Sequence, residues 1–323
     1  MRNLIINGSV TFCLLFFPLV SFGGTTLFQE NFADTNFSAR GWYDGSYTAS
    51  SITTSTGVVS GAPYPSAFEC HFLKGATACA GGDLKRMLFT PSNSLYISYW
   101  IKLSSNWVGS GVSYHPHIIN FITNANGPYD GLASTHLTGY MEVNGNDVRF
   151  QLQDGQNINM SNLNVNLCPG QRGTTESRAN FGCNGICNSD TWDYPADCYN
   201  LSGTTWTNDV AISSVSLSLN AWHHIEGYFQ MNTISGGIGQ NNGIMQGWVD
   251  GKQVLNYTDL IYRTNQYPTM QWNQFIVAPY MAPTSGTGSP VDQTFWIDDL
   301  TVATSRPTST TSTPSPPSSL RVQ

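Results

Sequence analysis

The chain of 323 residues carries 13 Lys and Arg against 20 Asp and Glu, so that only 10% is charged and the net charge is −7, where an ordinary soluble domain is about 25% charged. With 40% hydrophobic and 12% aromatic residues it can build a core, which excludes a disordered chain, and the acidic balance without a Lys/Arg cluster excludes nucleic acid as a partner. Asn, Ser, Thr, Gly, Tyr and Trp replace the charges, groups that hydrogen-bond and stack against glycans without desolvating ions.

Residues 1–23 begin with Arg2, run through VTFCLLFFPLV and end at Ser21-Phe22-Gly23, the pattern of an export signal removed near Gly24. The apolar run is shorter than the roughly 20 residues a span needs, so no membrane span is expected after removal, and the mature protein is placed outside the cell. Cys13 leaves with the leader, and Cys70, Cys79, Cys168, Cys183, Cys187 and Cys198 remain. An even number fits an oxidising compartment. Proximity favours Cys70 with Cys79; the other four lie in a Gly/Asn-rich excursion over 168–198, expected to hold two bridges. Zinc at Cys183 and Cys187 is the competing reading, disfavoured by export and by the lack of His in the stretch.

Strands are expected over residues 95–103, 118–123, 135–143, 147–153, 222–232, 243–250, 275–280 and 294–303, short Tyr/Trp/Val/Ile/Thr-rich runs broken by Gly, Asn, Asp and Pro. This is an all-β pattern, and its length suits a two-sheet antiparallel jelly-roll sandwich better than an immunoglobulin-like one. Residues 304–323 are a Pro/Ser/Thr tract, a linker or a terminal stalk. The domain therefore spans 24–303.

Period two assigns faces. In THLTGYMEVNGNDVRFQLQ, His136, Thr138, Tyr140 and Glu142 share one face and Leu137, Met141 and Val143 the other. A two-residue turn at Gly145-Asn146 pairs Val143 with Val148, which sets Glu142 opposite Arg149, Tyr140 opposite Gln151 and Thr138 opposite Gln153. In WHHIEGYFQMN the face is His224, Glu226, Tyr228, Gln230 and Asn232; in GIMQGWVDG it is Gln246, Trp248 and Asp250. The three strands are expected to line one continuous groove. His115 and His117 flank Pro116 at the mouth of another strand, while Trp42 and Trp222 read as core.

The succession WHHIEGYFQMNT, NGIMQGWVDGKQVLNYTDLIYR and FWIDDLTVATSR, with LFQENF and LYISYWIKLS before it, resembles the concanavalin A-like lectin/glucanase superfamily, particularly its secreted polysaccharide lyase and laminin-G-like branches. The resemblance implies a jelly roll with a polysaccharide on its concave sheet. Glu-x-Asp-x-Glu, which a retaining glycosidase of this superfamily uses to set two carboxylates about 5–5.5 Å apart, is absent, so an enzyme here would be a lyase before a hydrolase. A lyase neutralises a uronate carboxylate, abstracts the proton beside it and protonates the leaving oxygen. The resemblance points to Gln151 or Arg149 for the first role, His117 or His136 for the second and Tyr140 or Tyr228 for the third, with Glu226, Gln230, Gln246 and Trp248 as substrate contacts. The Gln-Ile-His and Tyr-Phe-Lys-x-Gly motifs of the best-known alginate lyases are absent, so no particular substrate is implied.

The alternative is a non-catalytic carbohydrate-binding module with Tyr140, Tyr228, Trp248 and Trp107 as stacking platforms; a further one is a surface adhesion protein, marked by an exposed apolar patch. The resemblance also implies a structural Ca²⁺ held by Glu30 and Asp298. No organic cofactor is expected, and the oligomeric state is left open.

Overall fold

The computed structural model describes residues 24–53, 66–111, 115–130, 137–153, 212–260, 262–263, 265, 267–281 and 288–307, with backbone alone at 144, 151, 153 and 212–214. The expectations for the leader, for His136, for Cys168, Cys183, Cys187 and Cys198, and for the tail beyond 307 lie outside these residues. Among them no helix is long and apolar enough to cross a membrane.

The strands are β1 (Thr26–Glu30), β2 (Trp42–Tyr43), β3 (Ile52–Thr53), β4 (Ala67–Phe72), β5 (Lys85–Ser92), β6 (Ser94–Leu103), β7 (His117–Thr123), β8 (Thr138–Asn144), β9 (Asp147–Gln153), β10 (Ile212–Ser216), β11 (Trp222–Gln230), β12 (Ile234–Ser235), β13 (Ile238–Gly239), β14 (Gly243–Val249), β15 (Lys252–Leu260), β16 (Trp272–Val277) and β17 (Gln293–Ala303). Among the described residues they form two large antiparallel sheets. The first runs β15-β14-β11-β6-β17-β4-β3 with β1 also on β17; the second runs β10-β9-β8-β7-β16-β5-β2; β12 and β13 make a separate ribbon.

Every expected strand is present, shifted by a few residues at its ends. Most of the strands that period two did not announce lie at sheet edges or are two residues long, while β4 and β5 lie inside their sheets. β5 opens on Lys85-Arg86 and holds Pro91, whose ring removes a ladder donor, and β15 buries only Leu255 and Leu260. Cys70 on β4 is joined to Cys79 as expected.

The core lies between the sheets. Ile225 and Phe229 of β11, Met141 and Val143 of β8, and Val148, Phe150 and Leu152 of β9 are all buried there, as their alternation requires. Phe121 of the second sheet meets Phe229 of the first at 4.5 Å between ring centroids, and Trp272 of β16 meets Phe121 at 5.0 Å. Glycines make room for the rings. A Cβ on Gly139 would stand 2.0 Å from Phe121, and one on Gly247, which pairs with Gly227 across the first sheet, would stand 2.8 Å from Phe150. Two tryptophans depart from expectation. Trp222 is half-buried at the start of β11 instead of sealed in the core, and Trp107, expected as a platform, is buried with its indole N–H on the Gly145 carbonyl.

Because the buried Phe121 ring already occupies the place a Cβ would take, Gly139→Ala should overpack the core and destabilise the fold by about 1–3 kcal/mol, read as a lower denaturant midpoint; an unchanged midpoint would show that the ring relocates freely.

Candidate functional site

Register places three rows of side chains across the outer face of the second sheet. Tyr280, His117, Glu142 and Arg149 form the first; Tyr43, Arg86, Ile276, Asn120, Tyr140 and the backbone position of Gln151 form the second; Leu88, Gln274, Ile122, Thr138 and the backbone position of Gln153 form the third. At about 4.8 Å between strands, the second row spans about 24 Å. The turn at Gly145-Asn146 delivers the expected pairing, Val143 with Val148, Glu142 with Arg149 and Tyr140 with Gln151.

The histidines gather at one end. His115 sits at φ 64° before a cis Pro116, its ring 4.4 Å from that of His117 and 5.5 Å from that of Tyr280. The His117 ring lies 4.2 Å from the ring of Tyr140. Beneath them the Glu142 carboxylate, 1% exposed, has His117 Nε2 and Arg149 Nη1 each at 3.6 Å and receives the His115 backbone N–H at 3.3 Å. His117 and Arg149 are the accessible edge, their side chains 19% and 15% exposed, whereas Tyr140 at 2% is floor. Burial lowers the His115 pKa to about 4; burial and then the neighbouring His115 charge lower His117 well below 6.5. Both imidazoles are therefore neutral at neutral pH and able to accept a proton.

Further along the row the polar groups are saturated. Arg86 donates to Gln274 Oε1 at 2.8 Å, to the Asp130 carbonyl at 2.7 Å and to Asp44 at 3.2 Å, while Gln274 Nε2 and the Tyr43 hydroxyl both reach the Pro128 carbonyl. These bonds fix the loop over 124–130 as one wall, and Tyr129, 68% exposed, stands edge-on to Tyr43. Asn120 is the exception. It is 1% exposed, and neither its amide oxygen nor its nitrogen has a hydrogen-bond partner, which costs about 1–3 kcal/mol. Its unmet hydrogen-bonding capacity lies next to Tyr140 in the same row.

Asn120, Arg86, Gln274 and Tyr43 escaped the sequence reading. Asn120 lies inside the apolar run IINFIT, where period two from His117 would point it into the core. A bulge between His117 and Ile119 shifts the phase, so that Ile119 pairs with the inward Met141 and Asn120 with the outward Tyr140.

The single groove is not formed. The hairpin of β8 and β9 belongs to the second sheet, whereas β11 and β14 belong to the first, so Glu226, Tyr228, Gln230, Gln246 and Trp248 face away on the opposite side of the sandwich. Period two tells faces apart but not sheets. There the Tyr228 hydroxyl donates to Gln230 Oε1 at 2.7 Å, and Gln246 donates to Asn256 at 2.8 Å. Glu226 takes both Nε and Nη2 of Arg306, at 2.9 and 3.0 Å, with the Tyr96 hydroxyl at 2.8 Å, and Arg306 lies 4.3 Å over the Trp248 ring. Tyr228 cannot serve the same reaction as His117. His136 and the Gln151 side chain lie outside the described atoms.

The expected calcium pair does not fit either. Glu30 is buried with Oε1 on the Phe32 N–H and Oε2 on Arg40 Nε at 2.8 Å and Trp42 Nε1 at 2.9 Å, so a cation would have to displace a guanidinium. Asp298, beside a bulge in β17, accepts the Asp299 N–H on one oxygen; the other is buried without a partner, and burial raises its pKa to about 7. Among the described residues no group of three or more His, Cys, Asp or Glu could hold a metal.

No protein-family model matches the sequence, and no curated protein matches it. Solved structures do. The alginate lyase vAL-1 from Chlorella virus aligns with a TM-score of 0.51 at 12% identity, covering 87% of this chain and 100% of that one. The marine PL-14 alginate lyase from Aplysia kurodai aligns with a TM-score of 0.50 at 12% identity over the same shares. The endo-beta-1,4-glucuronan lyase from the fungus Trichoderma reesei aligns at 0.46 and 14% identity, covering 87% of this chain and 96% of that one. The fold is thus an all-β sandwich of two antiparallel sheets, as expected, and it is shared with the two alginate lyases.

The lowered pKa values carry a stability signature. An unfolded histidine takes its proton near 6.5 and folded His115 only near 4, so between these values the unfolded chain binds more protons and stability falls as pH drops. Asp298, raised to about 7, acts with the opposite sign, so the histidine is isolated by comparison with a variant. The stability advantage of wild type over His115→Asn should shrink between pH 6.5 and 4, by up to about 3 kcal/mol; a pH-independent difference in melting would refute the buried neutral His115.

Proposed function

We propose that the outer face of the second sheet binds an acidic polysaccharide and cleaves it by β-elimination. Neutral His117 takes the proton from the carbon beside the uronate carboxylate. The electron pair left there forms the double bond as the neighbouring carbon–oxygen bond to the next sugar breaks, and Tyr140 delivers its hydroxyl proton to the departing oxygen. Asn120 donates to the carboxylate, whose charge grows as the proton leaves, and Arg149, two strands away in the neighbouring row, adds positive charge to that end of the face. The observation that carries this reading is a neutral imidazole packed 4.2 Å from a tyrosine ring, with an orphaned buried amide on the tyrosine's row. The solved structures of like fold that are alginate lyases make alginate the first substrate to try. Export fits the reading, and the Cys70–Cys79 bridge supports an oxidising compartment.

A second reading, polysaccharide binding without cleavage, is favoured by one observation: the Arg149 guanidinium stands 3.6 Å from Glu142, which leaves less positive charge for a polyanion.

Incubation with alginate, glucuronan, pectin and glycosaminoglycans should give the ultraviolet absorbance of an unsaturated uronate with at least one of them. His117→Ala and Tyr140→Phe should each lower kcat by about 10²–10⁴-fold, and Asn120→Ala should lower kcat/KM, with folding checked by melting. Because His117 titrates well below 6.5, the wild-type rate should persist below that pH. Binding across the panel without product would leave only the second reading, and full activity in His117→Ala would remove the assigned base.

A further inference from the structure

The outer face of the first sheet, away from the candidate site, keeps three tryptophans at the surface. Register sets Trp296, Lys102 and Trp222 in one row across β17, β6 and β11, and Asp298, Trp100 and His224 in the next. With about 4.8 Å between strands, Trp296 and Trp222 stand about 10 Å apart with Lys102 between them, and Trp100 lies one pleat repeat along β6. All four are half-buried.

The rings are held in place. Trp296 Nε1 donates to Glu69 Oε2 at 2.8 Å, and the Lys102 ammonium lies 5.6 Å over the same ring. Trp100 stacks on His224 at 5.0 Å with 29° between the planes, and His224 is pinned by Ser98 Oγ at 2.7 Å. Indoles fixed at a surface lose little freedom when a flat ligand face settles on them, and rigid aromatic anchors of this kind mark binding surfaces. Lys102 forms no ion pair among the described residues, so its charge faces outward. Of the nearby carboxylates, Glu69 is committed to an indole N–H, Asp298 is buried, Asp250 is held by His223 and the His224 backbone N–H, and Asp299 is exposed toward the His224 end of the face. The far end of the face is already covered by the chain itself, where Arg306 closes over Glu226 and Trp248. That limits the surface in question to the end of the face that carries the tryptophans and Lys102.

We propose that Trp100, Lys102, Trp222 and Trp296 form a second, non-catalytic surface for an acidic polysaccharide, with sugar rings on the indoles and a carboxylate or sulfate on Lys102. The two faces of the sandwich then hold separate stretches of polymer, and this face does not depend on chemistry at the other.

Electrophoresis of the full chain through gels containing alginate, glucuronan or a neutral β-glucan tests it. Wild type should be retarded in an acidic gel. The Trp100→Ala/Trp296→Ala double variant should bind about tenfold more weakly, the scale of one or two aromatic contacts, and Lys102→Gln should lose retardation in acidic gels. Any release of unsaturated product from trisaccharides should be unchanged in these variants. Since Lys102→Gln removes no core contact, it decides the matter if the double variant melts early. Undiminished retardation of Lys102→Gln overturns the proposal, as does equal retardation in the neutral gel. So does a wild-type dimer by light scattering that the double variant abolishes while polymer binding stays intact. Retardation lost in these variants from a protein that releases no unsaturated product supports this surface and removes the lyase reading alone.

Discussion

Aromatic rings seated over glycines hold the two sheets at their working distance. The Phe121 ring fills the space that a side chain on Gly139 of the neighbouring strand would take, then touches Phe229 of the opposite sheet, and the Phe150 ring reaches across the sandwich to sit over Gly247 of the first sheet. Such a joint fills the interior at native density and leaves no freedom to slide, because a one-residue slip would set a side chain where a ring stands. Asn120 precedes Phe121 and Tyr140 follows Gly139, so the contact that pins the inner face also sets those two side by side on the outer face. The candidate chemistry inherits its geometry from core packing.

The scarcity of charge takes on a structural meaning. Three buried glutamates are each met by arginine and other donors: Glu30 by Arg40 and the Trp42 indole, Glu142 by Arg149 and the His115 backbone N–H, Glu226 by Arg306 and the Tyr96 hydroxyl. A buried carboxylate is tolerated only when it is paired and hydrogen-bonded. Several of the 13 cationic residues are therefore spent inside the protein. Apart from Lys102 on the outer face of the first sheet, what remains for a ligand is neutral: imidazoles held unprotonated by burial, an unsatisfied amide, tyrosines and indoles. That inventory suits a sugar polymer, whose hydroxyls and ring faces ask for hydrogen bonds and stacking more than for charge.

Local pattern was enough for the parts of the molecule in which one segment dictates its neighbour. The two-residue turn at Gly145-Asn146 determined the whole register of β8 with β9, and strict alternation identified the buried faces of β11 and β14, because turn geometry and the pleat are short-range rules. The short disulfide Cys70–Cys79 followed from proximity. Tertiary structure decided the rest. Alternation states which side chains share a face of a strand but not which sheet the strand joins, so His117 and Tyr140 were parted from Tyr228 and Trp248 only by strand order. One extra residue at Ile118–Ile119 reversed the phase of β7 and brought out Asn120, an event that depends on how β7 meets β8 and leaves no mark in an apolar run. Glu30 was a plausible calcium ligand until Arg40 and Trp42 folded onto it. The sequence determined pairing and polarity, which act between near neighbours, and with them the Glu142–Arg149 pair; the choice of sheet, the bulge and the contact of Glu226 with Arg306 arise between separate segments of the chain, and only the packed structure settles them.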